Sequence, residues 1–238
     1  MLLTFMSWRE TAFVIGGIGI AAAVAVLVLL PHARSRRRTD RATGQAKADA
    51  SPLTTLKGFR TLIAIGIADS ATRMGFMTFL PFVLAAKGAS LPITGLALTL
   101  TFAGGTFGKL ACGLLGARLG VTRTIVVTKA ATAALIVTVL VLPLGGVLAI
   151  LPLLGTMLNG TSSVVYRSVP DFCAADARAK AFGVFYTATI GAGALAPIVF
   201  GSLTDRIGLW PMTVCVACTA LITLPLALLR PASSHEGG

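Results

Sequence analysis

Continuous apolar runs, each about as long as a bilayer is thick, constrain this sequence more than any other feature. A helix that crosses the hydrocarbon core needs about 20 consecutive apolar residues, and seven segments meet that requirement. Because the runs are continuous rather than alternating, they argue against a transmembrane β-barrel. We therefore predict an all-α membrane protein with about seven transmembrane helices, at Thr11–Leu30, Leu62–Ala86, Ile93–Leu115, Thr124–Leu142, Val147–Tyr166, Ala181–Phe200 and Met212–Leu229.

Positive charge is concentrated in the gaps that fall on one side of these spans. The formal net charge is +12, and residues 31–60 alone hold eight Lys and Arg against two Asp. Since Lys and Arg are enriched in cytoplasmic loops, we expect a multi-pass protein of the plasma (inner) membrane, with its N-terminus outside and its C-terminus in the cytoplasm. The basic stretch contains one aromatic residue, Phe59. That composition disfavours a nucleic-acid partner.

The basic stretch also divides the chain. We predict a single transmembrane helix in residues 1–30, a basic cytoplasmic linker in 31–60, a six-helix transmembrane bundle in 61–230 and a cytoplasmic tail in 231–238. The linker is poor in apolar residues and rich in Arg, so we expect it to lie against anionic lipid head groups.

Two segments within the six-helix region share the pattern G-x-L-x-x-R-x-G. They are GLLGARLG at Gly113–Gly120 and GSLTDRIG at Gly201–Gly208. Each copy ends the second helix of a group of three, and an offset of three helices places the copies on opposite membrane faces. This arrangement predicts an inverted repeat of three plus three helices.

Several stretches together resemble one transporter family. Trp8-Arg9 is similar to an outer loop of that family, and residues 31–60 look like its central cytoplasmic loop. A third stretch looks like the second-half copy of its loop motif, Gly108-Lys109-x-x-x-Gly113-x-x-x-x-Arg118-x-Gly120-x-x-Arg123. A fourth resembles the eleventh helix of bacterial efflux-type members, Ala181-Phe182-Gly183-x-x-Tyr186-Thr187 followed by Gly191-x-Gly193-x-x-x-Pro197. On these residues the chain resembles a major facilitator superfamily transporter, specifically its C-terminal half preceded by the last helix of its N-terminal half.

The resemblance implies a secondary active transporter that moves a small molecule by alternating access. It implies efflux-like transport with proton exchange, so the expected partners are a small-molecule substrate, protons and the lipid bilayer. It also implies a missing N-terminal half, and we expect a truncated product, a misassigned start or a split subunit. An inactive or split half-transporter that serves only as a membrane scaffold is one alternative. A seven-helix receptor without retinal is the other, because Met212–Leu229 contains no Lys.

Two charged side chains lie inside the second apolar run. Asp69 and Arg73 are four residues apart, hence on one helix face, and intramembrane charges are costly and usually functional. We predict a substrate and proton path here, with Asp69 accepting a proton and Arg73 contacting an anionic group or tuning the protonation of Asp69. The alternative is a mutual ion pair that only fixes packing. Asn159 and Tyr186 extend the predicted path, although Asn159 also suits a hydrogen bond between helices.

The loop motif is predicted to close the cytoplasmic side. Lys109, Arg118 and Arg123 would hold this gate, or alternatively would only anchor the helix ends by the positive-inside preference. Ala117 stands where the family places an acidic residue, which removes the usual charge partner. The predicted gating residues are Gly108, Lys109, Gly113, Arg118, Gly120 and Arg123, and the outer copy of the motif contributes Gly201, Asp205, Arg206 and Gly208.

Catalysis has little support in the sequence. The two histidines, His32 and His235, lie outside the apolar runs. The chain contains no phosphate-binding loop, no zinc-protease motif and no nucleophile elbow. We therefore expect no enzyme activity, no cofactor and no metal site.

Overall fold

The computed structural model describes residues 52–174 and 177–229, together with residues 13, 14, 17, 20, 21 and 24, which are helical. The chain divides into two compact units, Met1–Asp49 and Ala50–Gly238. Apart from those six residues, the predicted span Thr11–Leu30 lies outside the described residues. Most of the predicted linker and the tail at 231–238 lie outside them too.

Six α-helices and one short 3-10 helix form the described part of the second unit. Each predicted span from Leu62 onward coincides with one helix, and each helix begins earlier than predicted. The helices are α1 (Pro52–Ala86), α2 (Leu91–Leu119), α3 (Val121–Val141), α4 (Leu144–Arg167), α5 (Arg178–Ile207) and α6 (Leu209–Leu228), with the 3-10 helix Val169–Phe172 between α4 and α5. The start of α1 makes residues 52–60 helical, although the sequence suggested a linker there.

Five of these helices are long and apolar enough to cross a membrane. The qualifying segments are Leu91–Gly116, Val121–Val141, Leu144–Phe172, Arg178–Ile207 and Leu209–Leu228. Helix α1 is long enough but is not among them, because Asp69 and Arg73 lower the hydropathy of its middle. The described part of the chain is therefore an all-α membrane bundle. The carboxylate of Asp69, in the middle of α1, has its partner on another helix.

The helix contacts are arranged with an internal two-fold relationship. Helix α2 packs along α4, and in the same way α5 packs along α1. Helix α3 packs on α4, and in the same way α6 packs on α1. Helices α3 and α6 pack on each other. Exchanging the first three helices with the last three therefore reproduces the pattern of main contacts. This is the pattern expected of a three-plus-three repeat.

Single glycines separate the second and third helices of each triplet. Gly120 has φ 80° and ψ 162°, and Gly208 has φ 87° and ψ 166°, a region that is essentially restricted to glycine. Each carbonyl then accepts a 3.2 Å hydrogen bond in the next helix, from the backbone N–H of Thr124 or Met212. The repeated motif is thus a helix end followed by a one-residue break. Residues 116–123, which lie between two predicted spans, are therefore helical apart from the break at Gly120.

The apolar core forms two clusters along the bundle. The larger cluster takes Phe76 to Leu84 from α1, whereas the smaller one takes Leu62 and Ile65 from the same helix. Helices α3, α4, α5 and α6 likewise contribute separate segments to each cluster. Between six and ten residues therefore separate the two clusters on each of these five helices.

Candidate functional site

Buried polar side chains occupy the gap between the two apolar clusters. On α1 they lie between Ile65 and Phe76, and on α3 between Ile125 and Ala133. None is more than 6% exposed. We call this set the polar layer, and it consists of Asp69, Ser70, Thr72, Thr128, Lys129, Thr132, Thr161, Ser162, Thr189 and Thr223.

Most hydroxyl groups of the polar layer are satisfied locally. Thr72 donates to the carbonyl of Ala68 at 2.8 Å, and Thr132 donates to that of Thr128 at 2.7 Å. One hydroxyl bond joins two helices, since Thr161 on α4 contacts Thr128 on α3 at 2.9 Å between their oxygens. The hydroxyl groups can therefore remain buried without losing hydrogen bonds.

The charged centre of the polar layer is an ion pair between α1 and α3. The ammonium group of Lys129 donates to the carboxylate of Asp69, and the Lys129 side chain is fully buried. Both charges thus find a partner away from water, as buried ions require. The alternative of a pair between Asp69 and Arg73 is not what the structure contains.

Arg73 lies one helical turn beyond Asp69 on α1. Its side chain is half-buried, and its Nε atom is buried without a hydrogen-bond partner. Within the described residues the guanidinium forms no ion pair, because the only such pair there joins Lys129 to Asp69. Arg73 is therefore a predicted path residue with a hydrogen-bond donor that has no partner among the described residues.

The other two predicted path residues lie at helix–helix contacts. The Nδ2 atom of Asn159 donates to the carbonyl of Gly155 at 3.1 Å, and its side chain fills the space beside Gly105 on α2. Tyr186 stacks on Tyr166 with ring centroids 5.0 Å apart and is 43% exposed. Among the described residues, neither side chain forms a hydrogen bond with Lys129 or Asp69.

Gly108 of the predicted gating motif lies in the seam between α2 and α4. A Cβ atom there would lie 2.7 Å from the Cα of Thr156, so only glycine permits this approach. Thr156 also donates across the same seam to the carbonyl of Gly104 at 3.0 Å. By contrast, a Cβ atom added at Gly113 of the same motif would meet no neighbour within 4 Å.

The charged residues of both motif copies are exposed. Lys109, Arg118 and Arg123 point away from the core of the bundle, as do Asp205 and Arg206. In the part of the chain that the structure describes, none of them forms an ion pair. The structure places Arg118, Arg123, Asp205 and Arg206 near helix ends and Lys109 inside α2, and it forms no ion pair among them.

Sequence reasoning missed two lysines. Lys129 lies inside the predicted span Thr124–Leu142, and the rule that selected Asp69, a charge within an apolar run, would also have found it. Lys87 caps α3, since its Nζ donates to the carbonyls of Leu140 at 2.9 Å and Leu142 at 2.7 Å. The same Nζ lies 5.0 Å from the ring centroid of Trp210.

Metal chemistry finds no support among the side chains that the structure describes. No three of their His, Cys, Asp or Glu residues lie together as a set that could hold a metal ion. The chemistry that the site offers is instead ionic. A carboxylate and a guanidinium lie near the middle of α1, and an ammonium group lies near the middle of α3.

Comparison with known proteins places this chain in a family. The family model described as Major Facilitator Superfamily matches residues 62–238, which include all six helices of the described bundle except the first residues of α1. No curated protein sequence matches the chain.

Proposed function

The chain belongs to the major facilitator superfamily of membrane transporters, and on that premise we propose that it exports a small molecule in exchange for protons. In this proposal the protein resides in the plasma membrane with its C-terminus in the cytoplasm. A second helical half would complete the path, because alternating access requires one bundle to move against another. A fluorescent protein fused to the C-terminus, which folds only in the cytoplasm, would test the orientation.

The observation that carries proton coupling is the buried pair between Asp69 and Lys129. A carboxylate is a plausible proton carrier inside a membrane only if both of its protonation states can be accommodated. Lys129 stabilises the charged state. The neutral acid needs no partner of opposite charge.

Protonation of Asp69 would then act as a conformational trigger. When a proton binds the carboxylate, the ammonium group of Lys129 loses its counter-charge while it is fully buried. Leaving one member of a buried pair uncompensated costs about 3–5 kcal/mol. That cost favours a second arrangement of α1 and α3, in which Lys129 reaches water or another acceptor. The proton is released when the pair forms again.

The test uses everted membrane vesicles that hold an acidic interior. A transported compound exchanges for internal protons, which restores the fluorescence of a pH-sensitive dye. We expect a panel of small organic compounds to contain some that restore fluorescence with the wild-type protein. Asp69→Asn should abolish the response. Asp171→Asn, an acid on the 3-10 helix outside the polar layer, is the matched control and should retain it.

Two results would contradict the proposed proton exchange. One is transport that continues at the same rate after an ionophore has collapsed the pH gradient. The other is an Asp69→Asn protein that reaches the membrane in normal amount and exchanges protons as the wild type does.

A further inference from the structure

The charges in the middle of α1 and α3 do not balance. Lys129 and Arg73 carry two positive charges, and Asp69 supplies one negative charge, which the pair with Lys129 already uses. The other acids that the structure describes are Asp171 on the 3-10 helix and Asp205, which is exposed near the end of α5. Within the described residues, Arg73 therefore has no counter-charge.

An uncompensated guanidinium in this place is costly. Arg73 is 13 residues from the end of α1 at Ala86, which corresponds to about 20 Å along the helix. A charge at such depth is destabilising by a few kcal/mol on insertion scales. Some anion that binds Arg73 would remove much of that cost.

The free edge of the guanidinium favours a planar acid. Nε is buried and unpartnered, and arginine binds a carboxylate through two parallel N–H donors. The Arg73 side chain as a whole is only half-buried, so part of it is accessible to an incoming molecule. A cationic substrate would instead be repelled, since the three charges sum to a positive value before any ligand arrives.

We propose that the substrate carries a carboxylate or a similar planar oxyanion that binds Arg73. This inference rests on the proposed transport function and specifies the substrate class for it. Asp69 and Lys129 would neutralise each other and handle the proton, while Arg73 would recognise the acid group. In this proposal, two of the three charged groups serve proton coupling and the third serves substrate recognition.

Ligand binding to the purified full-length protein in detergent tests the proposal without any proton gradient. The probes are two matched pairs, benzoate with benzamide and hexanoate with hexanamide, at equal ionic strength. A ligand that binds the folded state raises the unfolding midpoint, which intrinsic tryptophan fluorescence reports. We expect at least one carboxylate to raise the midpoint more than its amide does.

Variants at Arg73 then locate the binding. Arg73→Gln should weaken carboxylate binding about tenfold or more, as loss of a charged hydrogen-bond partner predicts. Arg73→Lys should retain part of the preference, because it keeps the charge but loses the fork. Arg60→Gln, on the exposed face of the same helix, should retain all of it.

The proposal is overturned if each amide stabilises the wild type as well as its carboxylate does. It is also overturned if the preference survives Arg73→Gln. An acidic side chain from elsewhere in the protein that covers Arg73 would produce the first result. Failure here leaves proton exchange intact, whereas loss of proton exchange with retained carboxylate binding contradicts the proposed function alone.

Discussion

Lys129 on α3 donates a hydrogen bond to Asp69 on α1, and the two residues are separated by 60 positions in the sequence. The pair lies between two apolar clusters, so neither group has water as an alternative partner. Buried pairs of this kind are often no more stable than apolar residues of similar size, but a half-broken pair is strongly destabilising. This asymmetry gives the first prediction.

Lys129→Met should lower the free energy of unfolding by about 3–5 kcal/mol, because the Asp69 carboxylate loses its counter-charge. The double variant Asp69→Leu/Lys129→Met should recover most of that loss. Unfolding of the purified proteins in detergent, followed by circular dichroism, measures both effects. Equal stability of the single and double variants would contradict a direct pair. The double variant should nevertheless fail to exchange protons.

The helix breaks give a second prediction. Gly120→Ala and Gly208→Ala should each destabilise the protein by about 1–3 kcal/mol, because alanine is strained at their backbone angles. Gly191→Ala is the control, since that glycine lies inside α5 and has no neighbour within 4 Å of an added Cβ. It should be neutral or slightly stabilising, because alanine favours helix more than glycine does. Thermal unfolding midpoints decide whether the two groups differ.

The close contact between α2 and α4 gives a third prediction, which separates a packing role of Gly108 from a gating role. Gly108→Ala should destabilise the bundle by about 1–3 kcal/mol through overpacking against Thr156. Gly113→Ala, five residues later in the same helix and motif, should not, because an added methyl group there meets open space. If both variants are equally stable and only transport is lost at Gly108, the packing explanation fails.

The cap formed by Lys87 gives a fourth prediction. Lys87→Met should cost about 1.5–3 kcal/mol, because the carbonyls of Leu140 and Leu142 lose a charged donor. Positive charge at a helix C-terminus also interacts favourably with the helix dipole. Lys109→Met, at an exposed position with no such contacts, is the matched control. The same loss of stability in both variants would show that the cap contributes nothing.

Much of the fold could be predicted because its signals are local. The apolar runs located all six helices of the described bundle, and the motif copies at Gly120 and Gly208 marked equivalent helix ends. The helix starts were misplaced by a few residues, since the helices continue past the apolar segments. Their polar ends remain helical, and the backbone is interrupted by positive-φ glycines at Gly88, Gly120 and Gly208 and by extended residues at Leu142 and Pro143.

The candidate site was predictable only in part. Asp69 and Arg73 were found because each is a charge in an apolar run, but their pairing was assigned by proximity on one helix. The exposed charges of the loop motif could be located, Lys109 within α2 and Arg118 and Arg123 at helix ends, whereas the absence of ion pairs among them could not be foreseen.

The sequence by itself determined the membrane class, the helices and the positions where the chain must turn, because hydropathy and glycine backbone freedom act over a few residues. Only the tertiary structure decided which charged side chains form an ion pair. The pairing of Asp69 with Lys129 depends on the rotation of α1 and α3 about their axes and on their relative register. Those quantities come from packing across the whole bundle, where Gly108 and Thr156 set helix distances. As a result Arg73, which the sequence placed beside Asp69, has no ion-pair partner among the described residues, and its Nε is buried without a hydrogen bond.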